Sequence, residues 1–193
     1  MQKDQQIKYE LEDFNKFVKQ LREESAIFIG GNFEQTVRYD YEDLRLSKSN
    51  IFIRTKTGFK NVLTIKEKSE NIKTNYFQRD KREIEIESTE DLDYILNKIG
   101  LTNQLVMEKY RLLWKIDDIY ICIDELPFGI YLEIRGDNKQ INNILKKFNL
   151  KKTKVINETY WDIFNKKIKS EEIIYSKDIK FDANHIFKIA TII

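Results

Sequence analysis

The apolar positions repeat with a helical period in three segments of the chain. In each segment four apolar residues follow the spacing i, i+3, i+4, i+7, which places them on one face of a helix. The three sets are Phe14, Phe17, Val18 and Leu21; Leu92, Ile95, Leu96 and Ile99; and Ile141, Ile144, Leu145 and Phe148. Ser88 and Asp137 are predicted caps of the second and third helices, and Gly100 is a predicted stop for the second. Each helix therefore has an apolar face to bury.

Between the helices, polar and apolar residues alternate as is typical of strands. The predicted strands lie near residues 6–12, 26–40, 50–56, 60–68, 81–87, 105–116, 118–125 and 129–135. Groups of strands are separated by single helices, and this order favours an antiparallel α+β fold over alternating βαβ units. The chain has one proline, six glycines and no linker-like segment, so we predict no internal domain boundary within the folded region.

Charged side chains are sorted by sign in several of the predicted strands. The basic pairs are Arg54 with Lys56 and Lys109 with Arg111, and the acidic row is Glu83, Glu85 and Glu87. Residues two apart share a strand face, so each row faces away from an apolar row. A solvated face usually mixes signs to limit repulsion, whereas sorted rows suit a polyanion and its metal ions. The pattern alone leaves open whether these rows cover an open sheet or line a closed barrel.

Composition excludes several other classes of protein. The 193 residues are 41% hydrophobic and 34% charged, which fits a soluble globular protein with a substantial core. The net charge is only +2, so there is no polybasic footprint for nucleic acid. No run approaches the length of a membrane span and the first residues contain no apolar signal region, so we expect a cytoplasmic protein. Cys122 is the single cysteine and His185 the single histidine, and we expect both to be structural.

An ordered set of short motifs resembles the CYTH family, also called triphosphate tunnel metalloenzymes. The motifs are Tyr39-Asp40, Asp43-Leu44-Arg45-Leu46, Ile51-Phe52-Ile53-Arg54-Thr55-Lys56, Leu63-Thr64-Ile65-Lys66, Glu83-Ile84-Glu85-Ile86-Glu87, Lys109-Tyr110-Arg111, the run from Ile123 to Ile134, and Tyr160-Trp161-Asp162-Ile163-Phe164. Each motif is weakly specific, and their order carries the resemblance. It spans roughly residues 6–167. We therefore predict a CYTH-like domain over residues 1–167 and an extension over 168–193 that packs on this domain or on a partner chain.

The resemblance implies an eight-stranded antiparallel β-barrel tunnel, with amphipathic helices packed outside it. Such tunnels hold a triphosphate with basic residues and Mg²⁺ or Mn²⁺ with acidic residues, chemistry that suits the residue types present. By matched position, the expected triphosphate ligands are Arg54, Lys56, Lys66, Lys109 and Arg111, and Arg135 is a provisional sixth. The expected metal ligands are Glu10, Glu83, Glu85, Asp124 and Glu133. Family members are often dimers, so the resemblance also allows a homodimer.

Two stretches depart from the family pattern, which opens the first strand with Glu-x-Glu-x-Lys and ends the last with Glu-x-Glu. Here the first strand has Lys8 and Glu12 around Glu10, and the last has Glu133 followed by Arg135. In one interpretation Lys8 and Arg135 act on the phosphates as fixed charges in place of a metal ion, with Lys8 and Glu12 as the provisional catalytic pair. In the other, metal binding is weakened and turnover is lost.

These alternatives lead to several functional hypotheses. The first is metal-dependent phosphoryl transfer on a nucleoside, organic or inorganic triphosphate, most simply hydrolysis. A class IV-type adenylyl cyclase that converts ATP to cyclic AMP differs only in the nucleophile. The second hypothesis is a tunnel that binds a triphosphate or polyphosphate without turnover. The third is a structural or interaction domain whose sheet has one solvent-exposed face.

Overall fold

The computed structural model describes residues 2–68 and 77–192, which form eight strands and five α-helices. The strands are β1 Gln2–Glu10, β2 Ile27–Asp40, β3 Phe52–Thr57, β4 Val62–Lys68, β5 Phe77–Glu85, β6 Thr102–Ile116, β7 Ile119–Leu126 and β8 Gly129–Arg135. The helices are α1 Phe14–Glu23, α2 Arg45–Lys48, α3 Thr89–Lys98, α4 Asn138–Lys147 and α5 Tyr160–Lys169. No helix in these ranges is long and apolar enough to span a membrane.

The strands form a closed antiparallel barrel in the order β1-β5-β4-β3-β2-β6-β7-β8. Strand β1 completes the circle, because residues 2–6 pair with β5 and residues 6–10 pair with β8. Closure leaves each strand with two neighbours and gives the barrel an inner and an outer face. The predicted α+β barrel is confirmed.

Alternation along the strands separates a polar interior from an apolar exterior. In β1, Ile7 and Tyr9 are buried in the main hydrophobic core, whereas Gln6 and Lys8 line the barrel interior. Helices α1 and α4 cover the outer face and bury the apolar stripes predicted for them, which places the core between the barrel and these two helices. Their burial removes apolar surface from water and leaves the two basic pairs, Arg54 with Lys56 and Lys109 with Arg111, inside the barrel.

The stripe predicted for α3 is only partly buried. Leu96 packs with Tyr39 and Leu101, but Ile95 and Ile99 are 54% and 60% exposed. The expectation that these two isoleucines face the sheet is wrong, because α3 contacts a small cluster at the ends of β2 and β6 through one narrow row of side chains. The predicted ends of the helix are confirmed: Ser88 accepts a hydrogen bond from Asp91 N, and Gly100 follows the helix with φ at +87°.

The segment after α5 pairs with an edge of β6. Ile179 N donates to Val106 O at 2.9 Å, and Glu108 N donates to Ile179 O at 2.8 Å. β7 pairs with β6 only over residues 110–116, so this segment supplies hydrogen bonds to the part of β6 that β7 does not reach. Ile179 and Ile189 are both fully buried.

Candidate functional site

The barrel encloses a cavity of about 260 Å³. Among the described residues that line it, nine side chains are cationic and four are carboxylates. The cations are Lys8, Arg38, Arg54, Lys56, Lys66, Lys81, Lys109, Arg111 and Arg135. The carboxylates are Glu34, Glu83, Glu133 and Asp162. All six predicted triphosphate ligands are therefore brought to one cavity, together with Lys8, which the sequence left provisional.

Barrel pairing places cations directly opposite one another across neighbouring strands. Arg38 of β2 is paired with Arg54 of β3, and Lys66 of β4 is paired with Lys81 of β5. All four residues line the cavity, and like charges in directly opposed positions destabilise a sheet. A bound polyanion would offset this repulsion.

Asp124 organises the buried base of the cavity. Its Oδ1 accepts from Arg111 Nε at 2.5 Å, and its Oδ2 accepts from Arg111 Nη2 at 2.6 Å and from Lys109 Nζ at 3.1 Å. Tyr160, at the start of α5, also donates its hydroxyl to Oδ2, at 2.7 Å. The two-pronged contact fixes the plane of the Arg111 guanidinium. The structure thus places Asp124, a predicted metal ligand, behind two cations, where it holds them in position.

Glu133 is also surrounded by cations. Its Oε1 accepts from Arg111 Nη2 at 3.0 Å and from Arg135 Nε at 2.8 Å, and Arg135 Nη2 lies 2.6 Å away. Burial alone would raise the pKa of Glu133, but Arg135 and Arg111 outweigh it and hold this pKa well below its usual range. Glu133 is therefore ionised and already shared between two guanidinium groups.

Glu34 is a buried carboxylate of the cavity that was not among the predicted site residues. Its side chain lies 3.4 Å from Lys56 Nζ and 3.2 Å from Lys109 Nζ. Gly58 allows this arrangement, since a Cβ there would meet Glu34 Cγ at 2.8 Å and φ is +146°. A signal was present in the sequence: Glu34 and Arg38 alternate with apolar or neutral residues in the predicted strand 26–40.

Glu83 is the predicted metal ligand of β5 that faces the cavity, and it is partly exposed. Its Oε2 accepts from the Thr64 hydroxyl at 2.9 Å, and its Oε1 lies 3.4 Å from Lys81 Nζ. Burial raises the pKa of Glu83, but the Thr64 hydrogen bond and Lys81 lower it more, so the pKa lies below its ordinary value. An ionised carboxylate therefore faces the interior of the cavity.

Three other predicted site residues lie outside the cavity. Glu10 is at the end of β1, where it pairs with Lys167 Nζ at 2.9 Å. Glu12 follows β1, is exposed and lies 3.7 Å from Lys154 Nζ. Glu85, the last residue of β5, is exposed and pairs with Lys60. None of the three lines the cavity with Lys8: Glu10 and Glu85 are the last residues of their strands, and Glu12 lies beyond the end of β1.

An aromatic cluster separates Glu10 from the cavity. The Tyr131 hydroxyl lies 3.4 Å from Glu10 Oε1, and the Tyr131 ring packs against Tyr160, which lines the cavity. Phe128 and Phe164 pack into the same cluster. Helix α5 therefore closes one side of the cavity, and Lys8 on the inner side of this cluster donates to the Glu158 carbonyl at 3.0 Å.

The carboxylates do not fit the oxygen cage expected for a resident divalent ion. Over residues 2–68 and 77–192, no three Asp, Glu, His or Cys side chains are grouped so that they could hold a metal. Asp124 and Glu133 already accept hydrogen bonds from cations, and Glu10 and Glu85 lie elsewhere. Mg²⁺ and Mn²⁺ need several oxygen ligands that converge, so the predicted ligand set is not assembled here.

Part of the cavity wall is apolar. Phe52, Leu105, Met107 and Trp161 line it alongside the cations. Such surface has no role in gripping phosphate oxygens, and apolar or aromatic walls with a few polar groups are common where an organic ligand is bound. The cavity can therefore accommodate both a polyanion and an attached organic group.

The chain is similar in sequence to a known protein and in fold to several solved structures. No protein-family model matches the chain. A Methanocaldococcus jannaschii protein, provisionally named an adenylate cyclase, is 27% identical over 171 residues, which cover 82% of this chain and 96% of that protein.

Two solved structures have a similar fold. One is a provisionally named adenylate cyclase of Vibrio parahaemolyticus, with a TM-score of 0.73 and 14% identity, covering 85% of this chain and 98% of that one. The other is a provisionally named adenylyl cyclase of Hippeastrum, described as having a dominant triphosphatase activity. Its TM-score is 0.59 at 13% identity, over 84% of this chain and 95% of that one.

Proposed function

We propose that this chain is a CYTH-type enzyme that transfers a phosphoryl group of a triphosphate bound in the barrel cavity. Hydrolysis is the simplest such reaction, because it needs only water as the nucleophile. The observation that carries this proposal is the excess of cations over carboxylates on the cavity wall. A buried concentration of positive charge is costly without an anion and is the feature that phosphoryl transfer requires.

The residues of the cavity have separate parts in the proposed reaction. Arg54, Lys56 and Lys66 bind oxygens of the triphosphate. Arg111 binds a further phosphate oxygen in a fixed orientation, because Asp124 holds the plane of its guanidinium group. A water molecule attacks the terminal phosphorus and the bond from that phosphorus to the bridging oxygen breaks. The terminal group leaves as orthophosphate, and the cations stabilise the charge that develops on the departing diphosphate. Glu83, as an ionised carboxylate facing the cavity, orients this water and accepts its proton.

A cyclase is the second candidate, favoured by the name of the Methanocaldococcus jannaschii relative. Here the nucleophile is a ribose hydroxyl of ATP, attack occurs at the α-phosphorus, and pyrophosphate leaves. The apolar wall with Phe52 and Trp161 provides a surface for the nucleoside. A dependence of either reaction on Mg²⁺ or Mn²⁺ stays a prediction from the family resemblance.

Product analysis distinguishes these reactions. The purified protein is incubated with inorganic triphosphate, ATP or thiamine triphosphate, each with Mg²⁺, with Mn²⁺ and in metal-stripped buffer. Hydrolysis is expected to release orthophosphate without cyclic AMP, whereas a cyclase would form equal amounts of cyclic AMP and pyrophosphate. Thermal stabilisation by a triphosphate without any product would favour a binding module. If the protein forms no product from any of these substrates and is not stabilised by any of them, the proposal is overturned.

Matched variants connect the activity to the cavity. Arg54→Ala should lower kcat/KM by about 100-fold because a group that stabilises the transferred charge is lost. Arg82→Ala is its control, since Arg82 is exposed on the same barrel but does not line the cavity. Glu83→Gln should likewise lower activity, whereas Glu85→Gln, two residues along β5 and outside the cavity, should not. If Arg54→Ala and Arg82→Ala lowered kcat/KM equally, Arg54 would not be a residue of the active site. The same holds for Glu83 if Glu83→Gln and Glu85→Gln lowered it equally.

A further inference from the structure

The family resemblance requires a divalent ion in the cavity, but the carboxylates that would hold it are engaged by cations. Asp124 accepts four donors on its two oxygens, from Arg111, Lys109 and Tyr160. Glu133 accepts from Arg111 and Arg135. A divalent ion bound to either carboxylate would have to displace a guanidinium or ammonium group and then remain beside it. Repulsion between the ion and the displaced cation opposes this binding.

Lys8 and Arg135 lie where added positive charge would act on a ligand of the cavity. Lys8 of β1 is directly opposite Glu133 of β8, and Arg135 is two residues farther along the same strand. Both side chains line the cavity. Lys8 is buried, so its ammonium group is held in the wall, whereas Arg135 is 38% exposed at its side chain and packs against Glu133.

The charge of the whole cavity also suits a triphosphate without an added ion. Nine lining cations exceed four lining carboxylates by five, and Asp124, buried behind Arg111, reduces this excess to four. A triphosphate carries about four or five negative charges near neutral pH. The fixed side chains can therefore balance the ligand, and a divalent ion would add positive charge that the cavity does not need.

We propose that this cavity binds its triphosphate without a resident divalent metal ion, with Lys8 and Arg135 supplying fixed positive charge. The proposal rests on the proposed function, in that it assumes a triphosphate as the ligand. It differs from the expectation drawn from the family, in which carboxylates at these two positions would help to hold metal. It concerns binding, and its test does not depend on turnover.

Calorimetric titration of the full chain with inorganic tripolyphosphate tests it. Binding is measured in metal-stripped buffer and again with Mg²⁺, and Mn²⁺ is titrated alone into the ligand-free protein. The dissociation constant for tripolyphosphate in metal-stripped buffer and the one measured with Mg²⁺ are expected to agree within about threefold. Mn²⁺ alone should give no saturable binding. Lys8→Met and Arg135→Gln should each weaken binding in metal-stripped buffer by about tenfold or more, because a charged phosphate ligand is lost. Arg82→Ala is the matched control and should bind as the natural protein does.

The outcomes separate this proposal from the proposed function. Binding only when Mg²⁺ is present, or saturable binding of Mn²⁺ alone, would overturn metal-free binding and leave a triphosphate site in place. Undiminished binding by both Lys8→Met and Arg135→Gln would overturn the assignment to these residues. If tripolyphosphate binds neither in metal-stripped buffer nor with Mg²⁺, both proposals are overturned. If Lys8→Met does not fold, Arg135→Gln still decides, since the Arg135 side chain is partly exposed and can be shortened with less effect on packing.

Discussion

Tyr160 and Asp124 show how single residues of the cavity depend on their neighbours. The Tyr160 hydroxyl donates to Asp124 Oδ2 at 2.7 Å, and both side chains are buried. Burial, together with the charge of Asp124, holds the pKa of Tyr160 well above its usual range, so the hydroxyl remains a donor. Without this donor, Asp124 would keep its bonds to Arg111 and Lys109 but lose the link to α5.

Tyr160→Phe is expected to lower the free energy of unfolding by about 2 kcal/mol, because a buried hydrogen bond to an ionised carboxylate is removed. Urea denaturation followed by circular dichroism measures this change. Tyr94→Phe is the matched control, since Tyr94 on α3 is 64% exposed, and it should change stability by less than about 0.5 kcal/mol. Equal effects of the two substitutions would contradict the structural role of the Tyr160 hydroxyl.

Glu34 makes the stability of the protein depend on pH. Burial alone would raise the pKa of Glu34, but Lys109, Arg111 and Lys56 lower it more, so in the folded protein it lies well below the ordinary value. A lowered pKa means that the ionised carboxylate stabilises the folded state above its unfolded pKa, near about 4.3. This stabilisation is lost as the pH falls through the folded pKa.

Glu34→Gln should therefore be more destabilising at pH 7 than at pH 3. The difference in unfolding free energy between the natural protein and the variant is expected to be nearly constant above about pH 5 and to shrink below about pH 4. Urea denaturation at a series of pH values measures it. The control is Glu67→Gln, which changes an exposed carboxylate on β4. A difference for Glu34→Gln that grew as the pH fell would contradict the assigned direction.

At the scale of elements, packing distinguishes segments that look alike in sequence. Helices α1 and α4 bury their apolar stripes against the barrel, whereas α3 buries a narrow row and leaves Ile95 and Ile99 exposed. The segment after α5 has no regular apolar period, yet it docks on β6 through two backbone hydrogen bonds at Ile179. Its His185 ring lies 2.9 Å from the buried Glu125, which also accepts from Ile189 N. Backbone pairing and a buried carboxylate therefore fix this segment.

Ile179→Ala should destabilise the protein by about 2–4 kcal/mol, since Ile179 is fully buried and the smaller side chain leaves a cavity. Ile174→Ala, in the same segment, is the control: Ile174 is 92% exposed, and its loss should change stability by less than about 0.5 kcal/mol. Thermal and urea denaturation measure both. A negligible effect of Ile179→Ala would show that the segment does not contribute to the folded domain in the way its contacts indicate.

At the scale of the whole molecule, barrel closure concentrates charge that is nearly balanced over the chain. The net charge is +2, yet cations outnumber carboxylates by five among the described residues that line the cavity. The low-dielectric walls strengthen the field inside the cavity, so a multivalent anion is attracted far more strongly than a monovalent one. The remaining surface can mix both signs and keep the protein near neutrality.

Tripolyphosphate should consequently raise the unfolding temperature, and orthophosphate at the same concentration should raise it much less. At a hundred times its dissociation constant, a ligand of the folded state adds about 2.7 kcal/mol of stability. The increase should decline at high NaCl concentration, because screening weakens binding near the cavity mouth. Differential scanning fluorimetry measures it, and the natural protein is compared with Arg54→Ala and Arg82→Ala. If tripolyphosphate raised the unfolding temperature of Arg54→Ala as much as that of the natural protein, the anion would bind outside the cavity.

Several features were predictable because they depend on residues close together in the chain. The alternation in Lys109-Tyr110-Arg111 indicated which side chains share a strand face, and the capping pair Asp137 and Gln140 marked the start of α4. The order of the motifs indicated the barrel, and the closed strand order confirms it. The depth of each residue along the barrel was not predictable from alternation, which assigns a side chain to a face but not to a position within the cavity.

The sequence by itself determined the helical stripes, the strand faces and the sorting of charge, since each follows from the fixed geometry of a local element. Only the tertiary structure decided which charges meet. Asp124 lies against Arg111, Lys109 and Tyr160 because β6, β7 and α5 converge, and Glu34 joins them from β2. The strand ends leave Glu10, Glu12 and Glu85 outside the cavity. Ion pairing depends on distances of a few ångströms between segments far apart in the chain, and barrel closure and register set those distances.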